Sequence, residues 1–109
     1  MADFIEIHWT TGSLDEARRV ARYLVQERFV ACAQIIPWIE STFMWDNKLD
    51  TVQESKVILK TLRPLFPAIK KIILENASYE LPEITVISID EGHQEYLDWV
   101  QEATSLQVK

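Results

Sequence analysis

The side chains best suited to soft-metal or redox chemistry are few in this sequence. Its 109 residues include one cysteine, Cys32, and two histidines, His8 and His93. Cys32 stands between two alanines, and a free cysteine in such surroundings is typically a small buried hydrophobe; a metal or redox role is the alternative. Because zinc and copper sites need several converging donors, we interpret the histidines, 85 positions apart, as surface or interface residues rather than ligands.

Oxygen ligands are more numerous, but their spacing is typical of an element boundary. An acidic group near the C-terminal end comprises Asp90, Glu91, Glu95 and Asp98. Such a group could hold a hard cation. It lies, however, at the end of a predicted strand and in the first turn of a predicted helix, where acids complement the helix dipole. The sequence therefore favours a structural role for these carboxylates.

Patterns for nucleophilic or phosphate chemistry are absent from the sequence. Ser41, Ser55 and Ser78 have no histidine nearby along the chain that could act as their base. Two glycines, Gly12 and Gly92, are too few for a phosphate-cradling loop, and neither a GxGxxG nor a Walker pattern occurs. These residues do not predict an enzyme.

Composition and charge limit the partners and the compartment. Hydrophobic residues make up 48% of the chain, and no apolar run reaches the roughly 18 residues of a membrane helix. The start, MADFIEIHWT, is not expected to be a signal peptide. A net charge of -6 disfavours a nucleic-acid partner. The single cysteine fits a reducing compartment, so we expect one cytoplasmic domain over residues 1–109.

The first elements that position these residues are a strand and a helix. Apolar residues alternate near the start, which predicts a strand with Ile5, Ile7 and Trp9 on one side. A break follows at TTGS. Ser13 with Glu16 three residues later is a capping-box pattern, and it predicts the N-cap of an amphipathic helix.

The middle of the chain predicts a long hairpin. Residues 31–46 are rich in Ile, Trp, Thr and Phe, which favours one long strand, and Pro37 marks a bulge or an edge position in it. A turn is expected at residues 46–48, because Asn47 tolerates a left-handed backbone. A second long strand then returns through LDTVQESKVILKT.

The last third of the chain completes an α+β pattern. Pro64 suits the first turn of a second helix, and a strand is expected at residues 83–89. The apolar residues of this helix and of a final helix are Leu65, Phe66, Ile69, Ile72 and Ile73, then Tyr96, Trp99, Val100 and Ala103. The order β-α-β-β-α-β predicts a ferredoxin-like sandwich of four antiparallel strands and two helices, with an extra C-terminal helix.

The predicted hairpin is longer than the domain that carries it. A compact chain of this length is about 35 Å across. Sixteen residues of strand reach about 50 Å at about 3.3 Å per residue. The tip, with Phe43, Met44 and Trp45, should therefore project, and its apolar area is most simply buried against another copy of the chain.

The sheet face without the two helices should also hold apolar side chains. Ile58 is expected there with His8 and, depending on register, with some of Ile36, Trp38, Ile84 and Val86. An exposed apolar face usually marks an interface, so an oligomer is predicted. In the alternative, the C-terminal helix with Trp99 folds over this face and the protein stays monomeric.

Several motifs together resemble one known family. The segments FVACAQIIP, the Trp45 hairpin, ESKVILKT, YELPEI and EGHQEYLDWV are similar in order and spacing to the CutA family of divalent-cation-tolerance proteins, from about Ile5 to Trp99. The resemblance implies a ferredoxin-like protomer similar to PII signalling proteins. It also implies a homotrimer with embracing hairpins, a cytoplasmic or organellar setting, and a role in tolerance of copper and other divalent metals without established catalysis.

The resemblance assigns residues of this chain to the family's ligand positions and cleft. The copper-binding Cys and His positions fall on Trp9 and Ala77, and neither side chain offers a lone pair to a soft cation such as Cu(I). Any binding of copper or another divalent cation is then expected to be weak, with Cys32 and His8 as weak candidate ligands. The cleft between subunits would gather Lys60, Thr61, Tyr79, Glu80 and Glu83.

Three interpretations of that cleft remain open. It is an interfacial hydrogen-bonded network, because buried polar groups must be paired, or it is a pocket for a small anion. A rival function is an enzyme or chaperone-like activity that uses Lys60, Tyr79 and Glu83. RNA binding is disfavoured by the charge of -6 and the missing aromatic strand motif.

Overall fold

The elements follow the predicted order in the computed structural model, which describes residues 2–107. They are β1 (Phe4–Thr11), α1 (Leu14–Gln26), β2 (Cys32–Trp45), β3 (Lys48–Leu62), a 3-10 turn (Arg63–Leu65), α2 (Phe66–Asn76), β4 (Ile84–Ser88) and α3 (Gln94–Ala103). No helix within residues 2–107 combines the length and apolar character needed to cross a membrane. The ferredoxin-like α+β fold with an added C-terminal helix is confirmed.

The four strands form one antiparallel sheet in the order β2-β3-β1-β4. Ile7 lies in the centre, opposite Leu59 of β3 and Val86 of β4. Residues paired across antiparallel strands point to the same side, so these three side chains share one face, which we call the core face. Helices α1 and α2 cover it. The opposite side of the sheet is the second face.

The hydrophobic core lies between the core face and these two helices. Its fully buried members include Ile5, Ile7, Trp9, Leu24, Val57, Leu59, Ile69 and Ile73. Ile84 and Val86 pack against this core. The register that would place them on the second face is not the one observed, because β4 pairs with β1 so that Ile84 lies opposite Trp9 and Val86 opposite Ile7.

The capping box at the start of α1 is only half formed. The Ser13 hydroxyl accepts a hydrogen bond from the Glu16 backbone N–H at 3.1 Å, as predicted. The Glu16 carboxylate does not return the bond. The Ser13 N–H instead donates to the Thr11 hydroxyl at 3.3 Å, which leaves the buried Glu16 carboxylate available for other partners.

The long hairpin has a tight turn and a bulge. Asp46 and Asn47 have φ of 50° and 64°, and they connect Trp45 directly to its partner Lys48, the geometry of a type I′ turn. The register shifts between Ile36 and Ile39, around Pro37. Because β2 is also an edge strand, Pro37 lies both at a bulge and at the edge of the sheet. Both predicted positions are confirmed.

The tip of the hairpin extends beyond the four-stranded sheet. β1 reaches only as far as Ser55 of β3. The segments 39–45 and 48–54 therefore pair with each other alone, and we call them the ribbon. The protein measures 45 × 26 × 21 Å along its principal axes. The predicted projection is confirmed.

Helix α3 covers one part of the second face. It packs on β3, and Tyr96 lies beside Cys32, whose pairing with Lys60 places it on this face. The residues that α3 buries are Leu97 and Val100, whereas Tyr96 and Trp99 remain 39% and 46% exposed. The apolar periodicity of the sequence had predicted Trp99, and not Leu97, on the apolar side of this helix. The helix leaves Ile36 and Ile87 of the second face exposed.

Candidate functional site

A groove of about 630 Å³ lies between the ribbon and the loop of residues 77–83. We call it the ribbon groove. Trp45 from the hairpin tip and Tyr79, Glu80 and Glu83 from the loop all line it. Four of the residues predicted to form a site are thus brought together by the fold of one chain. The groove opens on the second face, because its wall residue Thr10 pairs with Lys56 on that side of the sheet.

Lys60 and Thr61 lie away from this groove in the same chain. Lys60 pairs with Glu6, four residues before Thr10, which is about 13 Å along β1 at about 3.3 Å per residue. Its ammonium donates to Gln34 at 2.9 Å. Thr61 is fully buried on the core face and its hydroxyl donates to the Phe29 carbonyl at 2.6 Å. One protomer does not gather these two residues with Tyr79.

Tyr79 is held close to the start of α1 by the shape of the backbone there. A Cβ atom added to Gly12 would lie 2.7 Å from the Tyr79 hydroxyl, so glycine is needed at this position for the ring to approach. Burial raises the pKa of Tyr79 above its ordinary value, and the nearby carboxylates of Glu54 and Glu16 raise it further. The phenol therefore stays protonated and serves as a hydrogen-bond donor.

Glu16 fastens the 77–83 loop to helix α1. Its buried carboxylate accepts hydrogen bonds from the Thr11 hydroxyl and, at 3.1 Å, from the Ser78 N–H. Hydrogen bonds to an ionised carboxylate are stronger than those between neutral groups, so the loop that carries Tyr79 is held firmly. The capping-box pattern pointed to Glu16 but not to this role, because Ser78 is 62 positions away along the chain.

A polar network occupies the middle of the second face. His8 Nε2 lies 2.6 Å from Glu6 Oε1, and Lys60 Nζ lies 3.7 Å from the other oxygen of Glu6. The hydrogen bond with His8 lowers the pKa of Glu6; burial opposes that shift, and Lys60 adds to it. His8 lies on the face where it was expected, and its close partner is the Glu6 carboxylate.

Known proteins share the sequence pattern and the fold of this chain. The family model for the CutA1 divalent ion tolerance protein matches residues 5–103. A divalent-cation tolerance protein CutA from Thermus thermophilus is 38% identical over 87% of this chain and 92% of its own length. The chain belongs to the CutA1 family. The crystal structure of CutA1 from Oryza sativa superposes with a TM-score of 0.91 at 30% identity, covering 94% of each chain.

A second solved CutA structure shares the same architecture. It is described as the periplasmic divalent cation tolerance protein CutA from Archaeoglobus fulgidus, and it superposes with a TM-score of 0.85. That protein is 36% identical, and the superposition covers 95% of this chain and 99% of the other. The long hairpin and the C-terminal helix are therefore part of a CutA1 fold that spans almost the whole chain.

The positions that resemblance assigns to CutA copper ligands lie in or against the core of this chain. Trp9 is fully buried, and its Nε1 has no hydrogen-bond partner among residues 2–107. Ala77 packs against the same core. Neither side chain can bind a metal through a lone pair. In the described part of the chain, no three or more His, Cys, Asp or Glu side chains converge to form a metal site.

The remaining candidate ligands of this CutA1 chain lie apart from one another. Cys32 is half-buried beneath α3, where it raises the pKa of Tyr96, an effect second to that of burial. His93 is the exposed N-cap residue of α3, on a different element from His8. In the acidic group near the C-terminal end, Asp98 accepts a hydrogen bond from Gln94 at 2.8 Å, an ordinary contact within one helix.

Proposed function

We propose that this chain is a homotrimeric, non-catalytic protein of divalent metal tolerance, including tolerance of copper, with clefts between its subunits. The family match supports the role in divalent-cation tolerance. The observation that carries the assembly is the ribbon, a two-stranded element that exposes Phe43, Met44, Trp45 and Leu49. A two-stranded hairpin is marginally stable alone in water, so contact with a neighbouring copy stabilises it.

The second face supports the same proposal. Exposed apolar side chains on or over this face include Ile36, Ile87 and Trp99, and they continue toward the ribbon on the same side of the sheet. Burial of such area stabilises an interface by roughly 25 cal/mol per Å². The His8–Glu6–Lys60 network in its centre is already internally paired, which lowers the cost of removing it from water. The proposed number of subunits, three, rests on the resemblance to the CutA family.

The proposed cleft combines side chains from different copies. Lys60 lies about 13 Å along the sheet from the ribbon groove of its own chain, at about 3.3 Å per residue. A cleft with Lys60, Tyr79 and Glu83 therefore needs Lys60 from a second subunit. A role for Tyr79 as a general base is not favoured, because its raised pKa keeps the phenol protonated near neutral pH.

We propose cytoplasmic localisation and weak metal binding that does not depend on the cysteine. The single thiol suits a reducing compartment. It lies beside Tyr96 under α3, and within residues 2–107 it belongs to no group of three or more His, Cys, Asp or Glu side chains that could hold a metal ion. Carboxylates of the cleft could still attract a divalent cation through their charge.

Size-exclusion chromatography coupled to light scattering tests the assembly. The expected mass is about three times 12.7 kDa at micromolar protein concentration. A monomer would contradict the proposed assembly and the proposed role of the ribbon.

Calorimetric titration with copper, zinc and cadmium tests the metal proposal. The wild-type protein should bind each ion weakly, and Cys32→Ser should leave the affinities unchanged, because in the described part of the chain the thiol belongs to no group of three converging ligands. A tight response that disappears in Cys32→Ser would show a thiolate site and overturn this part of the proposal.

A further inference from the structure

We propose that the outer side of helix α1 docks an acidic segment of a partner protein. The inference goes beyond the proposed function and concerns a different surface. The residues that form this surface are Arg18, Arg19, Arg22 and Tyr23, and we call it the arginine face. All four side chains are exposed, and they line one open hollow of about 540 Å³.

Charge is unevenly distributed between these helices and the rest of the protein. Helices α1 and α2 together carry five lysines and arginines and three acids, a net charge of +2. The other residues from 2 to 107 carry five lysines and arginines and fourteen acids, a net charge of -9. A positive side on a strongly acidic protein attracts a negatively charged partner and orients it.

The arginines of this face form no ion pair with any residue from 2 to 107, although Asp15 lines the same hollow. Arg22 follows Arg19 by three positions and Arg18 by four. Like charges at these spacings destabilise a helix. An acidic partner would replace this repulsion by attraction.

The helix dipole does not account for the three arginines. Basic residues complement the dipole in the last turn of a helix, and the last turn of α1 contains none. The arginines lie in its second and third turns, where the dipole has little effect. Their charge is therefore available to a partner.

An apolar contact surface adjoins the charges. Tyr23 is 48% exposed, and it also lines a second hollow, of about 280 Å³, between α1 and α2. Val20 and Ile72 form apolar walls of that hollow. Tyrosine and arginine are enriched among the residues that dominate binding at protein interfaces. The combination suits an acidic segment that also carries an aliphatic side chain.

The number and setting of the charges favour a protein segment over a phosphate-rich surface. Segments that bind anionic membranes typically contain about four to eight lysines and arginines, whereas the arginine face has three. A nucleic acid longer than α1 would also meet the acidic remainder of the protein. A short acidic segment contacts α1 alone.

The proposed assembly leaves the arginine face free. Helices α1 and α2 cover the core face, whereas the proposed subunit contacts use the ribbon and the second face. In a trimer, three copies of the arginine face would therefore point outward. A partner with several acidic segments would gain affinity by binding them together.

Fluorescence anisotropy of the full-length protein with a labelled peptide of six glutamates and two leucines tests the inference. The same peptide with glutamine in place of each glutamate is the neutral control. At an ionic strength of about 0.01 M, we expect the acidic peptide to bind at least about tenfold more tightly than the neutral one. At about 1 M salt this difference should largely disappear, because salt screens exposed charges.

Substitutions on the two helices make the test specific. Arg22→Gln should weaken binding of the acidic peptide by about three- to tenfold, and Arg22→Lys by less, because lysine keeps the charge. Tyr23→Ala should weaken it by about threefold or more. Lys70→Gln is the matched control, because Lys70 is an exposed residue of α2 that lines neither hollow; it should change the affinity less than about twofold.

The outcomes separate this inference from its rivals and from the proposed function. Equal binding of the two peptides, or equal affinities in wild type and Arg22→Gln, would overturn the docking surface. Phosphatidylserine vesicles or a single-stranded oligonucleotide that bind more tightly than the acidic peptide would overturn the protein partner. By light scattering on the same samples, a trimer that binds no peptide would overturn this inference alone. A monomer that binds the peptide would overturn the assembly and leave the docking surface intact.

Discussion

The same two strands behave differently in the four-stranded sheet and in the ribbon. Within the sheet, Leu59 of β3 is fully buried beneath the helices. Ten residues earlier on that strand, in the ribbon, Leu49 is 73% exposed. Both lie in regular β-structure with partners on β2. The secondary structure is therefore the same in the two regions. They differ in whether helices pack over the strands.

The difference separates the residues that stabilise the protomer from those available for contact. Helices α1 and α2 reach only as far as the four-stranded part, where they bury Val57 and Leu59. Beyond Ser55 the strands have each other and no third layer. The apolar residues of the sheet thus stabilise one chain, and those of the ribbon are free to stabilise an assembly.

The largest expected effect contrasts two leucines of β3. Leu59→Ala should lower the free energy of unfolding by about 2–5 kcal/mol, because it leaves a cavity in the core. Leu49→Ala, the same change in the ribbon, should alter protomer stability by no more than about 0.5 kcal/mol. Urea unfolding followed by circular dichroism, at a protein concentration where light scattering finds monomers, measures both. Equal losses would show that the ribbon is as well covered as the sheet.

An intermediate effect concerns association through the hairpin tip. Trp45 is 44% exposed in the single chain, and Trp45→Ala should raise the dissociation constant of the assembly by about tenfold or more while the circular dichroism spectrum is retained. Dilution followed by light scattering gives the constant. Tyr23→Ala, an exposed aromatic on the outer side of α1, is the control and should leave association unchanged. An unaltered trimer in Trp45→Ala would remove the distinction between the two regions.

The smallest expected effect depends on pH and lies on the second face of the sheet. The pKa of Glu6 is lowered from 4.5, chiefly by its hydrogen bond with His8. A carboxyl group with a lowered folded pKa contributes stability above its unfolded pKa, and that contribution is lost as the pH falls through the folded pKa.

Substitution of Glu6 makes that contribution measurable. Glu6→Gln should flatten the fall in unfolding free energy at pH values below 4.5, whereas Glu40→Gln on the ribbon should follow the wild-type curve. Urea titrations across this range measure the slopes. Parallel curves for wild type and Glu6→Gln would contradict the proposed stabilisation by the His8 pair.

Much of the fold could be predicted because the deciding signals are local. Alternation of Ile5, Ile7 and Trp9 located β1 and its buried side, and Asn47 located a turn that needs positive φ. Strand length against domain size predicted the projecting ribbon. Of the candidate site, Trp45, Tyr79, Glu80 and Glu83 were predicted and lie around one groove.

The misses share a physical cause, since each depends on register or on contacts between distant segments. The faces of Ile84 and Val86 follow from how β4 pairs with β1, and periodicity fixes only which residues alternate. Leu97 rather than Trp99 is buried in the packing of α3 on β3, a contact between segments far apart in the chain. No local pattern could show that Glu16 bonds to Ser78, or that Lys60 lies far from Tyr79.

The sequence by itself determined the order of elements, the apolar sides of β1 and the first two helices, and the excess length of the hairpin, because periodicity, turn residues and chain length act over a few neighbours. Only the tertiary structure decided which acids meet. It brought Asp50, Glu54, Glu80 and Glu83 to one groove and left Glu54 nearly buried beside the Tyr79 hydroxyl. Electrostatic environment depends on distances through space, and those exist only after the strands have paired and the loop has closed over them.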